Sequence, residues 1–144
     1  MCRWMAWLGQ PLRIEELLFK TEHGLVDQSL HARLGAETTN GDGFGVGWYG
    51  AGNGPGVYRS ISPAWSDPNL RHLSAHIESK LFLAHVRASS GLAVQQTNCH
   101  PFAHGNWLFV HNGLITTSTG CAATCCWRST RRPWVRSKAR LTPR

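Results

Sequence analysis

Residues 40–49 are the segment that most narrows what this chain can fold into. They read Asn-Gly-Asp-Gly-Phe-Gly-Val-Gly-Trp-Tyr. The Asn-Gly and Asp-Gly pairs are typical of a tight turn. After the turn Phe44, Val46 and Trp48 alternate with glycine, which leaves one face of a strand bare. The pattern predicts a strand packed closely against other backbone.

The rest of the first 115 residues predicts further strands with one or two helices between them. An apolar run at residues 4–8 indicates a buried strand that ends at Gly9 and Pro11, and residues 14–18 have the spacing of a short amphipathic helix. The other expected elements, in chain order, are a hairpin turn at 53–56 into a strand at 57–59, a helix around 69–79, and strands at 81–86 and 106–111. We therefore expect an α+β domain.

The charge distribution divides the chain. The net charge is +7 from 15 basic and 8 acidic residues, but residues 1–115 carry 8 of each and residues 116–144 carry the other 7 basic ones. We expect one domain at 1–115 and a basic tail at 116–144. No apolar stretch approaches the ~18 residues of a membrane span and no signal peptide is recognisable, so we expect a cytoplasmic protein without membrane contact, in which the five cysteines stay reduced.

Cys2 is the first residue that suggests chemistry. If an aminopeptidase removes Met1, one residue carries both a thiol and a free α-amine. An α-amino group titrates near ~8, so its neutral form can accept the proton of the thiol. Cys2 is therefore a candidate nucleophile with a built-in base.

Three later motifs supply complementary groups. Arg87 follows an apolar strand, where a guanidinium can bind a carboxylate through two hydrogen bonds. The loop at 98–102 contains His100. Asn112 and Gly113 can direct a side-chain and a backbone N–H at one oxygen, as an oxyanion hole requires.

Together these four motifs resemble the class II glutamine amidotransferases, a branch of the N-terminal nucleophile hydrolases, over residues 1–115. The sequence is most similar to small stand-alone members that open Met-Cys-Arg, including amidohydrolases of ergothioneine synthesis. The resemblance implies an αββα sandwich and a reaction in which Cys2 forms a thioester with glutamine or another γ-glutamyl amide. It implies no cofactor and no metal.

The resemblance also implies roles for individual residues. Asn112 and Gly113 would stabilise the oxyanion, and Arg87 would bind the α-carboxylate of the substrate. Further pocket residues would be His85, His100 and Asp42. The natural γ-glutamyl substrate, transfer of ammonia to a synthase partner, and the oligomeric state stay open.

The tail departs from the family pattern. The family carries a Ser/Thr-Asp-Ser/Thr-Glu motif downstream, whose aspartate binds the substrate α-amino group, whereas Ile115 is followed here by an arginine-rich sequence. We interpret residues 116–144 as a disordered segment read in a shifted frame. If one base was lost after codon 115, undoing that loss recovers an amphipathic pattern and, with favourable wobble bases, that motif; a genuine divergent tail is the alternative. On this interpretation the sandwich is incomplete and the 144-residue chain has little or no activity.

Three alternative interpretations of the function of this chain stay open. The tail arginines with Trp127 and Trp134 could form a nucleic-acid-binding module, although the neutral first 115 residues favour no nucleic-acid partner. The chain could also be an inactive remnant that binds a partner through exposed strands. Finally, a zinc site could be drawn from residues without regular ligand spacing, namely Cys99, His100, His104, Cys121, Cys125 and Cys126.

Overall fold

The computed structural model describes residues 2–31, 38–89 and 93–113, which fall within one unit, Met1–Gly113. The expectations for the basic tail at 116–144 and its reading frame lie outside the described residues. They stay predictions.

Six strands and two α-helices make up the described part. The strands are β1 Arg3–Arg13, β2 Phe44–Tyr49, β3 Pro55–Ser60, β4 Glu78–Val86, β5 Phe102–His104 and β6 Trp107–Phe109. The helices are α1 Leu25–Leu30 and α2 Pro68–His76, with a π-helical turn at Glu16–Lys20 and 3₁₀ turns at Ala64–Ser66 and Gln96–Asn98. The Asp67 side chain caps α2 by accepting from Leu70 N at 2.9 Å, and Pro68 occupies its first turn.

Strands β1 to β4 form one antiparallel sheet in the order β1-β4-β2-β3, and β5 and β6 form a separate hairpin. In the four-stranded sheet Phe44 lies opposite Val86 and Gly45 lies opposite His85. This register places the end of β4 beside the start of β2, so that Arg87, which follows β4, lies close to Asp42, which precedes β2.

The two faces of the sheet contact different layers. Phe44, Val46 and Phe82 point to the helices and belong to the buried apolar core, together with Leu18 and Leu70. The opposite face of β2 carries glycines, and the β5–β6 hairpin packs there. A Cβ at Gly47 would lie 2.8 Å from Pro101 and 2.9 Å from Leu108. The predicted close approach of other backbone to β2 is confirmed at Gly45, where an added Cβ would meet the His100 carbonyl oxygen, and the α+β class is confirmed too.

Gly45 is expected to be needed for this layer contact. A Cβ there would meet the His100 carbonyl oxygen and lie 2.8 Å from Arg59 Cγ, so Gly45→Ala must push the hairpin loop away. We expect a loss of about 1–3 kcal/mol in the free energy of unfolding, as for other overpacked sites, measured by urea denaturation. Gly52→Ala, which has no atom within 4 Å of the added Cβ, is the control; equal midpoints for the two variants would contradict the packing argument.

The N-terminal strand differs from its prediction. It does not end at Gly9 and Pro11 but runs through them to Arg13, with a change of register between Leu8 and Leu12. Among the described strands it is also an edge strand rather than a buried one, and Trp4 is 49% exposed and Leu8 80% exposed. An edge strand tolerates proline because one side of its backbone needs no partner.

Smaller differences concern element bounds. Strand β4 begins at Glu78 and α2 ends at His76, so the end of the expected 69–79 helix lies in the sheet. Residues 102–104, expected in a loop, form β5, and β6 is shorter than predicted. The expected helix at 14–18 corresponds to helical backbone that continues to Lys20 as a π-helical turn. No helix in the described ranges is long and apolar enough to cross a membrane.

Candidate active site

Cys2 lies immediately before the first residue of β1, close to the point where the neighbouring strand β4 ends. Because Arg3 pairs with Val86, the antiparallel register brings Cys2 beside the residues that follow β4. Its Sγ accepts a hydrogen bond from Ala88 N at 3.4 Å and donates one to Ala88 O at 3.4 Å. The candidate nucleophile is thus held next to Arg87.

Asn112 reaches the same place from the other end of the described chain. Its Nδ2 donates to the Cys2 carbonyl oxygen at 2.8 Å, although the two residues are 110 positions apart. A carboxamide has two N–H donors, so one remains for a substrate oxygen. Asn112 and Gly113 are both exposed, as a group that must reach a substrate requires.

The Arg87 guanidinium is buried, with 5% of the residue exposed. It donates to Asp42 O at 3.3 Å, Ser89 Oγ at 3.1 Å and Ala93 O at 3.4 Å. All three acceptors are neutral, and no carboxylate of the described ranges pairs with it. A buried cation without a counter-charge favours binding of an anion.

Asp42 contacts the backbone around Arg87 rather than its charge. Asp42 Oδ2 accepts from Ser89 N at 2.6 Å, and Asp42 N donates to Arg87 O at 3.1 Å. Arg87 N donates in turn to Gly43 O at 2.8 Å. The expected pocket role of Asp42 stays a prediction. In the structure its carboxylate contacts the backbone of the loop that follows Arg87.

His85 and His100 lie inside the protein, 1% and 8% exposed, at the contact between sheet and hairpin. The ring centroids of His85 and His100 are 4.5 Å apart, and those of His100 and His111 are 4.7 Å apart. Among the described residues, none forms a hydrogen bond with the ring nitrogens of His85 or His100. We call His85, His100 and His111 the histidine stack. Their ring contacts link the segment that precedes Arg87 to the segment that precedes Asn112.

Two members of the stack, His85 and His100, are held in their neutral form. Burial lowers the pKa of His85 to about 3, aided by the nearby His100, His111 and Arg87 charges. Burial likewise lowers the pKa of His100 to about 4, with help from His111 and Arg87. Protonation would place charge in a desolvated layer without a partner.

We expect acid to destabilise the fold through this stack. In the unfolded chain His85 and His100 bind protons near pH 6.5, whereas in the folded protein these two side chains resist protonation until about pH 3 to 4. The unfolded state therefore binds more protons in this window, and the free energy of unfolding falls as the pH decreases, by on the order of 1 kcal/mol per pH unit for each histidine. Urea midpoints between pH 7 and pH 4 measure the slope. His100→Leu should flatten it while the exposed-site control His72→Gln should not, and a slope unaffected by His100→Leu would refute the assignment.

Two residues that contribute to the site were not singled out from sequence. Ser89 supplies both a hydroxyl to Arg87 and a backbone N–H to Asp42, and His111 completes the histidine stack. Both lie within two residues of a predicted site residue, so their position in the sequence could have indicated them. Their contacts depend on loops that meet only in the folded chain.

The zinc alternative receives no support from the described residues. Within residues 2–31, 38–89 and 93–113, no group of three or more His, Cys, Asp or Glu side chains is arranged to hold a metal ion. Its candidates Cys121, Cys125 and Cys126 lie outside those ranges. Cys99 is fully buried, and its thiol donates to Ser60 O at 3.4 Å and to Gln95 O at 3.6 Å.

Comparison with known proteins gives a consistent result. Residues 19–125 match the family model of class II glutamine amidotransferases. The chain is 40% identical over 129 residues to the probable glutamine amidotransferase DUG3 of Saccharomyces cerevisiae, an alignment covering 83% of this chain and 36% of the relative. It is 33% identical over 117 residues to a γ-glutamyl-hercynylcysteine sulfoxide hydrolase of Mycolicibacterium smegmatis, covering 80% of this chain and 52% of the relative.

A solved structure shows the same likeness. The glutamine aminotransferase class-II domain protein from Silicibacter pomeroyi superposes with a TM-score of 0.55 at 35% identity, covering 84% of this chain and 40% of that chain. The chain thus spans about half the length, or less, of these relatives. Since the family model matches well over half of the chain, and a solved member shares its fold, the resemblance drawn from the sequence is confirmed: this chain belongs to the class II glutamine amidotransferases.

Proposed function

We propose that this chain hydrolyses γ-glutamyl amides with Cys2 as the nucleophile. The observation that carries the proposal is the meeting of three separate segments at one point. The Cys2 sulfur is hydrogen-bonded to Ala88, directly after the buried Arg87, while the Asn112 carboxamide is hydrogen-bonded to the Cys2 carbonyl.

The reaction needs Met1 removed, so that Cys2 has a free α-amine. The neutral amine takes the thiol proton, and the sulfur attacks the γ-carbonyl carbon, forming the C–S bond. The negative charge that develops on the carbonyl oxygen is stabilised by the free N–H of Asn112 and by the Gly113 N–H. The C–N bond then breaks as the departing amine takes the proton, and water later hydrolyses the thioester to glutamate and the free thiol.

Arg87 supplies the recognition of the γ-glutamyl head group. No carboxylate of the described residues pairs with its guanidinium. Arg87 directly precedes Ala88, whose backbone is hydrogen-bonded to the Cys2 sulfur. An α-carboxylate bound there would place the γ-carbonyl, a few bonds away, toward Cys2. This gives a specificity for γ-glutamyl compounds that does not depend on the leaving group.

The leaving group remains the open part of the proposal. One relative is named as a hydrolase of γ-glutamyl-hercynylcysteine sulfoxide, and another as a probable glutamine amidotransferase. The proposed substrate is therefore glutamine or a γ-glutamyl amide of a larger amine, with an ammonia-accepting synthase as the partner in the first case. A thiol nucleophile also requires a reducing compartment, which is why we propose the cytoplasm.

A single-step assay tests the proposal best. Because the chain spans only about half or less of the length of these relatives, low turnover stays a prediction, whereas acylation of the thiol needs only the residues described above. We propose to incubate the full chain, with Met1 removed, with a glutamine analogue that carries a diazoketone in place of the carboxamide. In parallel, the release of glutamate from glutamine and from a γ-glutamyl anilide is measured. Mass spectrometry should find one adduct, on Cys2, that excess glutamine slows. Labelling that spares Cys2, or that glutamine leaves unchanged, would refute the function.

A further inference from the structure

Two loops contact the guanidinium of Arg87. One contains Asp42 and Gly43, at the entrance to β2, and the other contains Ser89, just after β4. Arg87 Nη1 contacts the first loop at Asp42 O, and Nη2 contacts the second at Ser89 Oγ. The orientation of the guanidinium therefore depends on the relative position of these two loops.

The Asp42 carboxylate fixes that relative position. Its Oδ2 accepts the backbone N–H of Ser89 at 2.6 Å, the shortest of the contacts around Arg87. This distance is at the short end of N–H···O contacts, which usually span about 2.7–3.2 Å. The backbone bonds Asp42 N to Arg87 O and Arg87 N to Gly43 O join the same two segments.

The first loop itself has little freedom to move. Gly43 adopts a φ of +108°, which favours glycine, and a Cβ there would lie 2.6 Å from Cys99 Sγ and 2.8 Å from Ser60 O. Since the loop is fixed against β3 and Cys99, the carboxylate of Asp42 presents a fixed acceptor to Ser89.

We propose that Asp42 is a positioning residue: by binding Ser89 N it holds the loop that orients Arg87, and so determines the affinity for the substrate α-carboxylate without contacting the substrate. This inference rests on the proposed function, in which Arg87 binds that carboxylate. The relevant property of Asp42 is the place of its oxygen rather than its charge, because it forms no ion pair with Arg87.

Two substitutions separate the effect of the position of the Asp42 oxygen from the effect of its negative charge. Asp42→Asn removes the charge but retains an oxygen at the same distance from the backbone, so it can still accept from Ser89 N. Asp42→Glu retains the charge but adds one methylene, which moves the oxygens away from that N–H. Asp42→Ala removes the acceptor altogether. Asp27→Ala, an aspartate with half its side chain exposed on α1, is the control for an unrelated loss of carboxylate.

The experiment measures labelling of Cys2 in the full chain by the diazoketone analogue over a range of concentrations. We expect Asp42→Ala and Asp42→Glu to raise the concentration for half-maximal rate by about 10- to 100-fold, with the maximal rate within about threefold of the parent. Asp42→Asn and Asp27→Ala should stay within about threefold in both values.

The outcomes are distinct. Failure of the parent chain to be labelled at Cys2 refutes the proposed function, whatever Asp42 does. With the parent labelled, unchanged half-maximal concentration in Asp42→Glu overturns the positioning role, and this holds even if Asp42→Ala does not fold. A loss in Asp42→Asn as large as in Asp42→Glu would also overturn it, since charge would then be the relevant property.

Discussion

Replacing Cys2 with alanine is expected to abolish both labelling by the glutamine analogue and any hydrolysis of γ-glutamyl amides. Without the sulfur no thioester can form, and loss of a nucleophile typically lowers turnover by a factor on the order of 10⁴ or more. Cys2 is also only partly buried, so the change leaves no large cavity and should spare the fold. Intact-mass measurement of labelled protein and a glutamate-release assay check the result.

Cys99→Ala is the matched control. The Cys99 thiol is fully buried, and burial raises its pKa above the usual value, so it stays in the unreactive protonated form. This variant should therefore still carry its one adduct on Cys2. An adduct on Cys99, or labelling that persists in the Cys2→Ala chain, would be incompatible with the proposed nucleophile.

Replacing Asn112 with alanine should have the next largest effect. On the proposed function it removes an N–H donor to the developing oxyanion, and loss of one such donor typically costs about 10²- to 10³-fold in the rate of the chemical step. The binding of the α-carboxylate should change little, because Arg87 is untouched. We expect the maximal rate of glutamate release, or of acylation of Cys2 by a γ-glutamyl anilide in a single turnover, to fall by this factor at a similar half-saturating concentration.

The Asn112 contact with Cys2 calls for a second variant. Because Nδ2 also donates to the Cys2 carbonyl, alanine could displace the nucleophile rather than remove an oxyanion donor. Asn112→Asp retains the shape but loses both N–H donors, and should be at least as slow as Asn112→Ala. The exposed-turn variant Asn53→Ala should match the parent. A full rate in Asn112→Asp would exclude an oxyanion role.

Part of the fold could be predicted because its signals are local. The strand at Phe44–Tyr49 follows from alternation of large residues with glycine, and the bare face follows from the same pattern. Helix α2 begins where Asp67 and Pro68 indicate a start. Such features depend on residues within a few positions of one another.

Other features could not be predicted, because they depend on distant partners. Whether residues 4–8 are a central or an edge strand is decided by β4 and by the absence of another strand pairing with β1 among the described residues. The short strand at Phe102–His104 forms only because Trp107–Phe109 pairs with it. The burial of His85 and His100 likewise depends on the packing of the hairpin on the sheet, and their expected pocket role stays a prediction.

The sequence by itself determined the chemistry available to this protein: a thiol at position 2, a guanidinium after an apolar strand, and an amide beside a glycine, in an order that indicates the family. Only the tertiary structure decided how these groups meet. The β1–β4 register brings Cys2 to Ala88, and packing of the hairpin on the glycines of β2 brings Asn112 to Cys2. The physical reason is that residue types fix which bonds can form, whereas strand register and layer packing, set by contacts between residues far apart in sequence, fix which atoms are close enough to form them.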